Sequence, residues 1–319
     1  MDLSLVIPLF NEDESLTELY SWICQVGESE KLDFEIIFVN DGSTDKSLEV
    51  IHELAAKDKR VRLISFRRNH GKSAGLNVGF AAASGDVVIT MDADLQDSPD
   101  EIPGLMKMIR EEGFDLVSGW KKKRYDPLSK SIPTKFYNWA TRRISKIHLH
   151  DFNCGLKAYR NEVVKAVNVQ GEMHRYIPVL AKNAGFTKIG EKVVQHQARK
   201  YGTTKFGLSR FINGPLDLLT LAFVSKFSKR PMHFFGLYGT LMMIFGFLAA
   251  LFIGVEKLVA LQMGEKARLV TDNPFFYLAL ATMVIGVQLF LAGFLAELII
   301  RNSNKPVEYT IEERINFES

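Results

Sequence analysis

Cysteine is scarce in this sequence. The 319 residues include two cysteines, Cys24 and Cys154, and neither belongs to a CxxC pair or to a cluster of cysteine and histidine. Two isolated cysteines are too few for a disulfide framework. They favour a chain that folds in a reduced, cytosolic setting.

Several familiar sequence signals are also missing. No GxGxxG follows the first apolar run and GxxxxGK[ST] occurs nowhere, so neither a dinucleotide fold nor a P-loop is supported. Gly71-Lys72-Ser73 matches only the tail of the P-loop motif. We expect no cleavable signal peptide, because the apolar run at 3–10 is short, lacks a basic start and contains Pro8.

Two long apolar runs stand near the C-terminus. Residues 233–255 carry no formal charge apart from a histidine, and residues 275–300 are similar, with Gln288 in the middle and Glu297 near the end. Each run is long enough to cross roughly 30 Å of hydrocarbon as a helix. A pair of buried core helices is the alternative. We predict two membrane spans.

Basic residues flank the two runs on their outer sides, whereas the loop between them mixes both signs of charge. The positive-inside rule then places both termini and the soluble part in the cytoplasm, with the protein in the inner membrane of the cell. The net charge of +3 is small, and we expect no nucleic-acid partner. The flanking basic residues are Lys226, Lys229, Arg230, Arg301 and Lys305.

The soluble part alternates short apolar strands with helical stretches. This alternation predicts an α/β fold with a mostly parallel sheet that is covered on both faces. Ligands of such sheets bind beyond the carboxyl ends of the strands, which is where acidic and polar residues gather in this sequence. The predicted strands cover 3–9, 34–40, 61–66, 86–91 and 114–118, and the predicted helices cover 15–26, 46–57, 72–83 and 100–112.

The fourth predicted strand ends in alternating carboxylates. Residues two apart on a strand point to the same face, so Asp92, Asp94 and Gln96 are expected to converge on one spot. Two carboxylates and an amide oxygen suit a hard cation such as Mg²⁺ or Mn²⁺. The alternative, a solvated acidic turn that caps the next helix, stays open on these residues alone.

Four motifs follow one another along the soluble part, and together they resemble the family 2 glycosyltransferases. The sequence is most similar to the polyprenyl-phosphate glycosyltransferases, a group that includes dolichol-phosphate mannose synthase and bacterial prenyl-phosphate glucosyltransferases. The resemblance covers the soluble part nearly end to end, and the two apolar runs strengthen it. The motifs are VIPLFNE at 6–12, NDGSTD at 40–45, RNHGK at 68–72 and MDADLQD at 91–97.

The resemblance implies a GT-A fold, in which a Rossmann-like sheet binds a nucleotide-sugar. Asp94 would then ligate the divalent cation with help from Gln96, while Asp92 would contact the ribose, the metal or metal-bound water. Lys72, near a helix start, suits charge balance for a diphosphate. Asp41 would accept a hydrogen bond from the base. The residues expected to bind the nucleotide-sugar are Pro8, Phe10, Glu12, Asp41, Lys72 and Asp92.

The second half of the soluble part is expected to hold the acceptor. A phosphate monoester is largely ionised at neutral pH, so a phosphate acceptor needs no general base. Asp151 therefore positions sugar hydroxyls in our interpretation, and a role as catalytic base stays open. The residues expected to be catalytic are Asp92, Asp94 and Asp151. The residues expected to meet the acceptor phosphate are Lys121, Arg124, Lys130, Thr134, Arg199 and Lys205.

Four segments are predicted in all. A cytoplasmic GT-A domain covers 1–205, an amphipathic helix lies on the membrane at 206–230, a two-helix transmembrane hairpin covers 231–301, and a cytoplasmic tail covers 302–319. The sequence leaves the oligomeric state open, a homo-oligomer included.

The predicted reaction is an inverting, metal-dependent transfer of a sugar from a nucleotide-sugar to polyprenyl phosphate. A UDP-hexose is favoured as donor over GDP-mannose. One alternative is a membrane-bound enzyme with a glycan or polysaccharide acceptor, although the sequence lacks a QxxRW motif. The other is a non-catalytic nucleotide-sugar-binding membrane protein, and the pattern of Asp92, Asp94 and Gln96 argues against it.

Overall fold

The computed structural model describes residues 1–122, 138–169, 171, 173–197, 200–201, 231–264, 269–302 and 309–317. The chain divides into two compact units. The first comprises Met1–Ser225 together with Glu308–Ser319, and the second comprises Lys226–Val307. The helix predicted at 206–230 lies outside the described residues.

The first unit is built on an eight-stranded sheet, ordered β7-β5-β6-β4-β1-β2-β3-β8. Strands β1 to β4 run parallel to one another, β6 is antiparallel to β4 and β5, and β8 is antiparallel to β3. The predicted α/β fold with a mostly parallel sheet is therefore confirmed. The strands are β1 (Leu3–Leu9), β2 (Phe34–Asn40), β3 (Val61–Phe66), β4 (Val87–Thr90), β5 (Leu116–Trp120), β6 (Lys157–Arg160), β7 (Ile189–Val193) and β8 (Ile311–Ile315).

Helices cover both faces of the sheet, which is why β2 is buried along its whole length. The buried residues Leu16, Leu19, Ile23 and Val26 of α1 recur at helical spacing and pack into one of two large apolar clusters. Residues of α3 and α5 contribute to the other cluster. The helices are α1 (Asp13–Ser29), α2 (Ser47–Lys57), α3 (Lys72–Ala82), α4 (Ile102–Arg110), α5 (Asn161–Ala166) and α6 (Ile177–Asn183), with 3-10 turns at Pro99–Glu101 and Met173–Tyr176 and a helical stretch at 138–145.

The last strand belongs to the first unit although it follows the second unit in the chain. β8 pairs with the edge strand β3, and the guanidinium of Arg62 lies 3.8 Å from the ring centre of Phe317. The Asn316 side chain donates hydrogen bonds to the carbonyl oxygens of Ala55 and Val61, at 3.2 and 2.8 Å. Sequence analysis did not predict this strand, because its pattern is weak and its pairing partner lies far away in the sequence.

The second unit contains the two apolar helices, α7 (Met232–Gln262) and α8 (Pro274–Asn302). Both are long and apolar enough to cross a membrane. Most of their large side chains are exposed, as expected of surfaces that face lipid. The helices contact each other through small residues: a Cβ atom added to Gly239 would lie 2.6 Å from the carbonyl oxygen of Gly286, and one added to Gly246 would lie 2.7 Å from that of Ala279.

The close helix contact predicts that Gly239→Leu destabilises the helix pair by roughly 1–3 kcal/mol, because the new side chain has to push the backbone of α8 away. The measurement is the thermal unfolding midpoint in detergent. Gly254→Leu is the matched control, since nothing lies within 4 Å of a Cβ atom added there. Equal midpoints for the two variants would contradict the packing described here.

Candidate active site

The segment after β4 keeps the alternation that the sequence suggested, although the strand itself ends at Thr90. Asp92, Asp94 and Gln96 are partly accessible, whereas the residues between them are buried. A turn follows, with Leu95 at a φ of 58° and the backbone N–H of Gln96 donating to Asp94 Oδ1 at 3.2 Å. The two carboxylates and the amide thus lie on the accessible side of this segment.

Asp92 forms an ion pair with Lys72, the first residue of α3. Burial raises the pKa of Asp92, but Lys72, together with Lys121 and Lys157, lowers it further, so that the pKa falls to about 2. The carboxylate also packs on Gly155, where an added Cβ atom would lie 2.4 Å from Asp92 Oδ2. Glycine at position 155 therefore gives Asp92 the room it occupies.

Asp92 and Asp94, with the amide of Gln96, fit a divalent cation that is only partly coordinated by protein. The described residues contain no cluster of three or more histidine, cysteine and acidic side chains. Mg²⁺ is commonly held by one or two carboxylates, with substrate phosphates and water completing the shell. This donor set therefore suits a cation that is shared with a bound phosphate rather than a closed structural metal site.

The ends of β1 and β2 form the neighbouring part of the same edge. The backbone N–H of Asn11 donates to Ser43 Oγ and that of Glu12 donates to Ser47 Oγ, both at 2.9 Å. These bonds tie the two loops together. Pro8, Phe10 and Glu12, predicted to bind the nucleotide, are partly accessible here.

Asp41, which is expected to contact the base, is hydrogen-bonded to the backbone of the loop before α3. It is buried, and its two carboxylate oxygens accept hydrogen bonds from the backbone N–H groups of His70 and Gly71, at 2.7 and 2.9 Å. Burial raises the pKa of Asp41, and these two hydrogen bonds oppose the rise. Asp41 therefore holds the loop before α3 in place, and its contact with a base stays a prediction.

Sequence analysis missed Lys157, which lies opposite Thr90 in the antiparallel pairing of β4 and β6. Lys157 is buried, and its ammonium donates to the carbonyl oxygen of Cys154. Burial lowers the pKa of Lys157. Sequence analysis did not predict β6, so nothing in the sequence marked Lys157 as buried. Asp151, six residues earlier, is also buried, and its Oδ1 accepts from the N–H of Asn153 at 3.0 Å.

His174 and Arg175 belong to the 3-10 turn at Met173–Tyr176 and lie near Lys72 and Lys157. His174 Nδ1 lies 3.2 Å from Ser73 Oγ, which also accepts from the His174 backbone N–H at 3.1 Å. Burial and the neighbouring cations Lys72, Arg175 and Lys157 lower the pKa of His174 to about 3. His174 is therefore a neutral hydrogen-bonding group at physiological pH.

Lys121 is the described residue among those expected to meet the acceptor phosphate. Its Nζ lies 2.7 Å from Oδ1 of the fully buried Asp97, in an ion pair rather than a well-aligned hydrogen bond. Burial lowers the pKa of Lys121, but the Asp97 carboxylate outweighs this and raises it. Phosphate binding by Lys121 stays a prediction. The others, Arg124, Lys130, Thr134, Arg199 and Lys205, lie outside the described residues.

Residues 192–197 are joined to the segment that follows Asp92 and Asp94. Asp97 and His196 form an isolated β-bridge, and the Gln197 backbone N–H donates to the carbonyl oxygen of Gln96 at 3.0 Å. Glu101 forms an ion pair with Lys192 and accepts from the N–H of Gln195 at 3.0 Å. These contacts hold residues 192–197 against the segment 96–101, which comes directly after Asp92 and Asp94.

The buried pair predicts that Lys121→Met lowers stability by roughly 3–5 kcal/mol, because it leaves the Asp97 carboxylate buried without a counter-charge. The thermal midpoint in detergent measures this, and adding Asp97→Asn to Lys121→Met is expected to recover most of the loss. Lys122→Met is the control, since Lys122 is exposed. If Lys121→Met and the double variant Lys121→Met/Asp97→Asn unfold at the same midpoint, the loss of stability does not come from the unpaired Asp97 carboxylate.

The low pKa of His174 predicts a pH-dependent stability. Between its ordinary pKa of about 6.5 in the unfolded chain and its folded pKa of about 3, only the unfolded state binds the proton, so stability falls as pH falls through this window. Replacing His174 by Gln is expected to remove up to about 1.4 kcal/mol per pH unit of this dependence. Thermal midpoints from pH 6.5 to 4.5 test it, with the exposed His148→Gln as control. If the stability of His174→Gln depends on pH as steeply as that of the wild type, the low pKa given to His174 is wrong.

Comparison with known proteins agrees with this geometry. Residues 4–167 match the family model described as Glycosyl transferase family 2. A dodecaprenyl-phosphate galacturonate synthase of Rhizobium johnstonii is 35% identical over 304 residues, 94% of this chain and 88% of that protein. An undecaprenyl-phosphate 4-deoxy-4-formamido-L-arabinose transferase of Pectobacterium carotovorum is 35% identical over 301 residues, again 94% and 88%.

A solved structure shares the fold at lower sequence similarity. Glucosyl-3-phosphoglycerate synthase of Mycobacterium tuberculosis, crystallised with Mn²⁺ and UDP-glucose, superposes with a TM-score of 0.54 at 19% identity, covering 70% of this chain and 78% of that one. The sheet described above is therefore of the GT-A type. With the family model and the full-length relatives, it shows that this chain belongs to glycosyl transferase family 2.

Proposed function

We propose that this glycosyltransferase transfers a sugar from a nucleotide-sugar to polyprenyl phosphate at the cytoplasmic face of the inner membrane. The observation that carries the proposal is the pair Asp92 and Asp94, held on the accessible side of one loop at the carboxyl edge of the sheet. In the same chain, two helices are long and apolar enough to cross a membrane.

The donor side of the proposal follows from the charges at that edge. A nucleotide-sugar leaves a nucleoside diphosphate, whose added negative charge has to be balanced as it develops. A Mg²⁺ or Mn²⁺ ion at Asp92 and Asp94 would supply that balance. Crystals of the M. tuberculosis synthase that contain Mn²⁺ and UDP-glucose support a divalent cation and a UDP-linked hexose, which we favour over GDP-mannose.

The acceptor side rests on the relatives and on simple acid–base chemistry. Both full-length relatives carry polyprenyl phosphate in their names. An ionised phosphate oxygen attacks C1 of the donor sugar, the bond from C1 to the diphosphate oxygen breaks, and its electron pair leaves with the nucleoside diphosphate. Attack opposite the leaving group inverts the configuration at C1. Because the nucleophile is already ionised, Asp151 serves in this proposal to position the sugar.

The connectivity of the chain supports a common side for both outer ends of the helix pair. Residues before and after the helix pair, Met1–Ser225 and Glu308–Ser319, belong to one compact unit. If the two helices span the membrane, both of their outer ends face the side on which this unit lies. The basic residues that flank the spans support the cytoplasmic side.

The first experiment incubates the purified protein with Mn²⁺ or Mg²⁺, undecaprenyl phosphate and a panel of UDP- and GDP-sugars, with mass spectrometry of the lipid fraction. We expect one lipid-linked sugar, lost on chelation of the metal. Asp94→Asn is expected to reduce the rate at least about a hundredfold, because it weakens binding of the cation that would balance the charge of the departing diphosphate. Asp86→Asn, which changes an exposed carboxylate just before β4, is the control.

If the protein binds a nucleotide-sugar but makes no lipid product with any donor, the acceptor assignment is wrong. Glycan acceptors then become the next candidates, and Asp151 the candidate base. Product formation that survives Asp94→Asn would instead contradict the role given to the carboxylate pair.

A further inference from the structure

The loop before α3 joins two groups that are predicted to bind the donor. The backbone N–H groups of His70 and Gly71, its last two residues, donate to the two carboxylate oxygens of Asp41, at 2.7 and 2.9 Å. The next residue is Lys72, which begins α3 and is paired with Asp92. The position of this loop therefore sets where Lys72 stands relative to Asp41.

The side chain of His70 is held by aromatic rings. Its ring centre lies 5.2 Å from that of Phe66, at the end of β3, and 5.8 Å from that of Tyr309, edge to face in both pairs. Phe66 and Tyr309 also contact each other, with their ring centres 5.6 Å apart. Nε2 of His70 is buried and has no hydrogen-bond partner among the residues that the structure describes. Ring contacts therefore hold this side of the imidazole.

Tyr309 comes from the far end of the sequence, just before β8. The carbonyl oxygen of its neighbour Thr310 accepts a hydrogen bond from the N–H of Arg67, at 3.2 Å. The phenol is half-buried and is hydrogen-bonded to the side chain of Asn77, a residue of α3. Tyr309 thus contacts the loop before α3 through His70, and it contacts α3 itself through Asn77.

We propose that Tyr309 is a positioning residue for the donor, because it holds the loop before α3 in the arrangement that binds the nucleoside diphosphate. The inference rests on the proposed function, in which a nucleotide-sugar binds at this edge of the sheet. Asp41 and Lys72 are predicted to meet its base and its diphosphate. A loop that is fixed beforehand loses less conformational entropy when the nucleotide binds. Tyr309 itself does not touch the nucleotide in this proposal, and it acts through His70.

A purely structural role is the alternative, because Tyr309 also packs against an apolar cluster of the first unit. Phe317 separates the two roles. It is a half-buried aromatic residue packed against the same cluster, and it follows β8 at the opposite end, over the guanidinium of Arg62. Loss of either ring loosens β8, whereas the ring contact with His70 belongs to Tyr309.

The test measures the affinity of the full-length protein in detergent for UDP and for GDP, by calorimetry in the presence of Mn²⁺, together with the thermal unfolding midpoint. For the nucleotide that the wild type binds more tightly, Tyr309→Leu is expected to weaken binding about tenfold, the effect of losing two aromatic contacts and a hydrogen bond. Phe317→Leu is expected to lower the thermal midpoint to a similar extent but to leave the affinity unchanged. Tyr309→Phe keeps both ring contacts and is expected to stay within about threefold of the wild-type affinity.

A second measurement covers the case that Tyr309→Leu fails to fold. A contact that favours nucleotide binding must itself be strengthened when the nucleotide binds, because the coupling is reciprocal. Saturating nucleotide with Mn²⁺ is therefore expected to slow amide hydrogen exchange at 309–311 in the wild type, with a smaller effect at 313–317. Unchanged exchange at 309–311 would overturn the inference.

Equal nucleotide affinities in Tyr309→Leu and Phe317→Leu would also overturn it, since Tyr309 would then serve only the fold. Transfer to lipid is measured separately with the wild type. A lipid-linked sugar made by a protein whose nucleotide affinity does not depend on Tyr309 leaves the proposed function standing without the inference. Weaker nucleotide binding in Tyr309→Leu, without any lipid product from the wild type, supports the inference and contradicts the polyprenyl-phosphate acceptor. A wild type that binds neither nucleotide contradicts both.

Discussion

The ion pair between Lys72 and Asp92 is the contact on which the arrangement of this edge depends. It joins the first residue of α3 to the segment after β4, two elements that parallel topology brings to the same edge of the sheet. Partly exposed opposite charges hold each other firmly only when their geometry is fixed. Two contacts fix the geometry of this ion pair. Gly155 packs against the Asp92 carboxylate, and α3, which begins with Lys72, packs over β1 and β2.

Much of this arrangement was accessible from the sequence, because it depends on local periodicity. The buried strands β1, β2 and β3 were predicted at the bounds observed, since runs of Val, Ile and Phe between turn residues have few other solutions. The alternation of accessible and buried residues continues beyond the end of β4, so Asp92 and Asp94 are both partly accessible even though the strand stops at Thr90.

The features that the sequence did not reveal depend on contacts between distant residues. Lys157 looks like an ordinary surface lysine until β6 is seen inserted antiparallel between β4 and β5. Lys121 stands in a basic run typical of a solvated face, yet it pairs with a carboxylate 24 residues away that no local pattern connects to it. The low pKa of His174 likewise depends on its burial and on Lys72, Arg175 and Lys157, of which only Arg175 is its neighbour in the sequence.

The return of the chain to the sheet as β8 makes the helix pair an insertion within the first unit rather than an appendage at its end. A soluble version obtained by cutting the chain before the helices would therefore leave β3 as a bare edge, with unpaired N–H and C=O groups along Leu63 to Phe66. Such an edge invites pairing with other chains. Arg62 would also lose the ring of Phe317 that covers it. A version without the helices that keeps residues 309–317 linked to the first unit would retain the strand that pairs with β3.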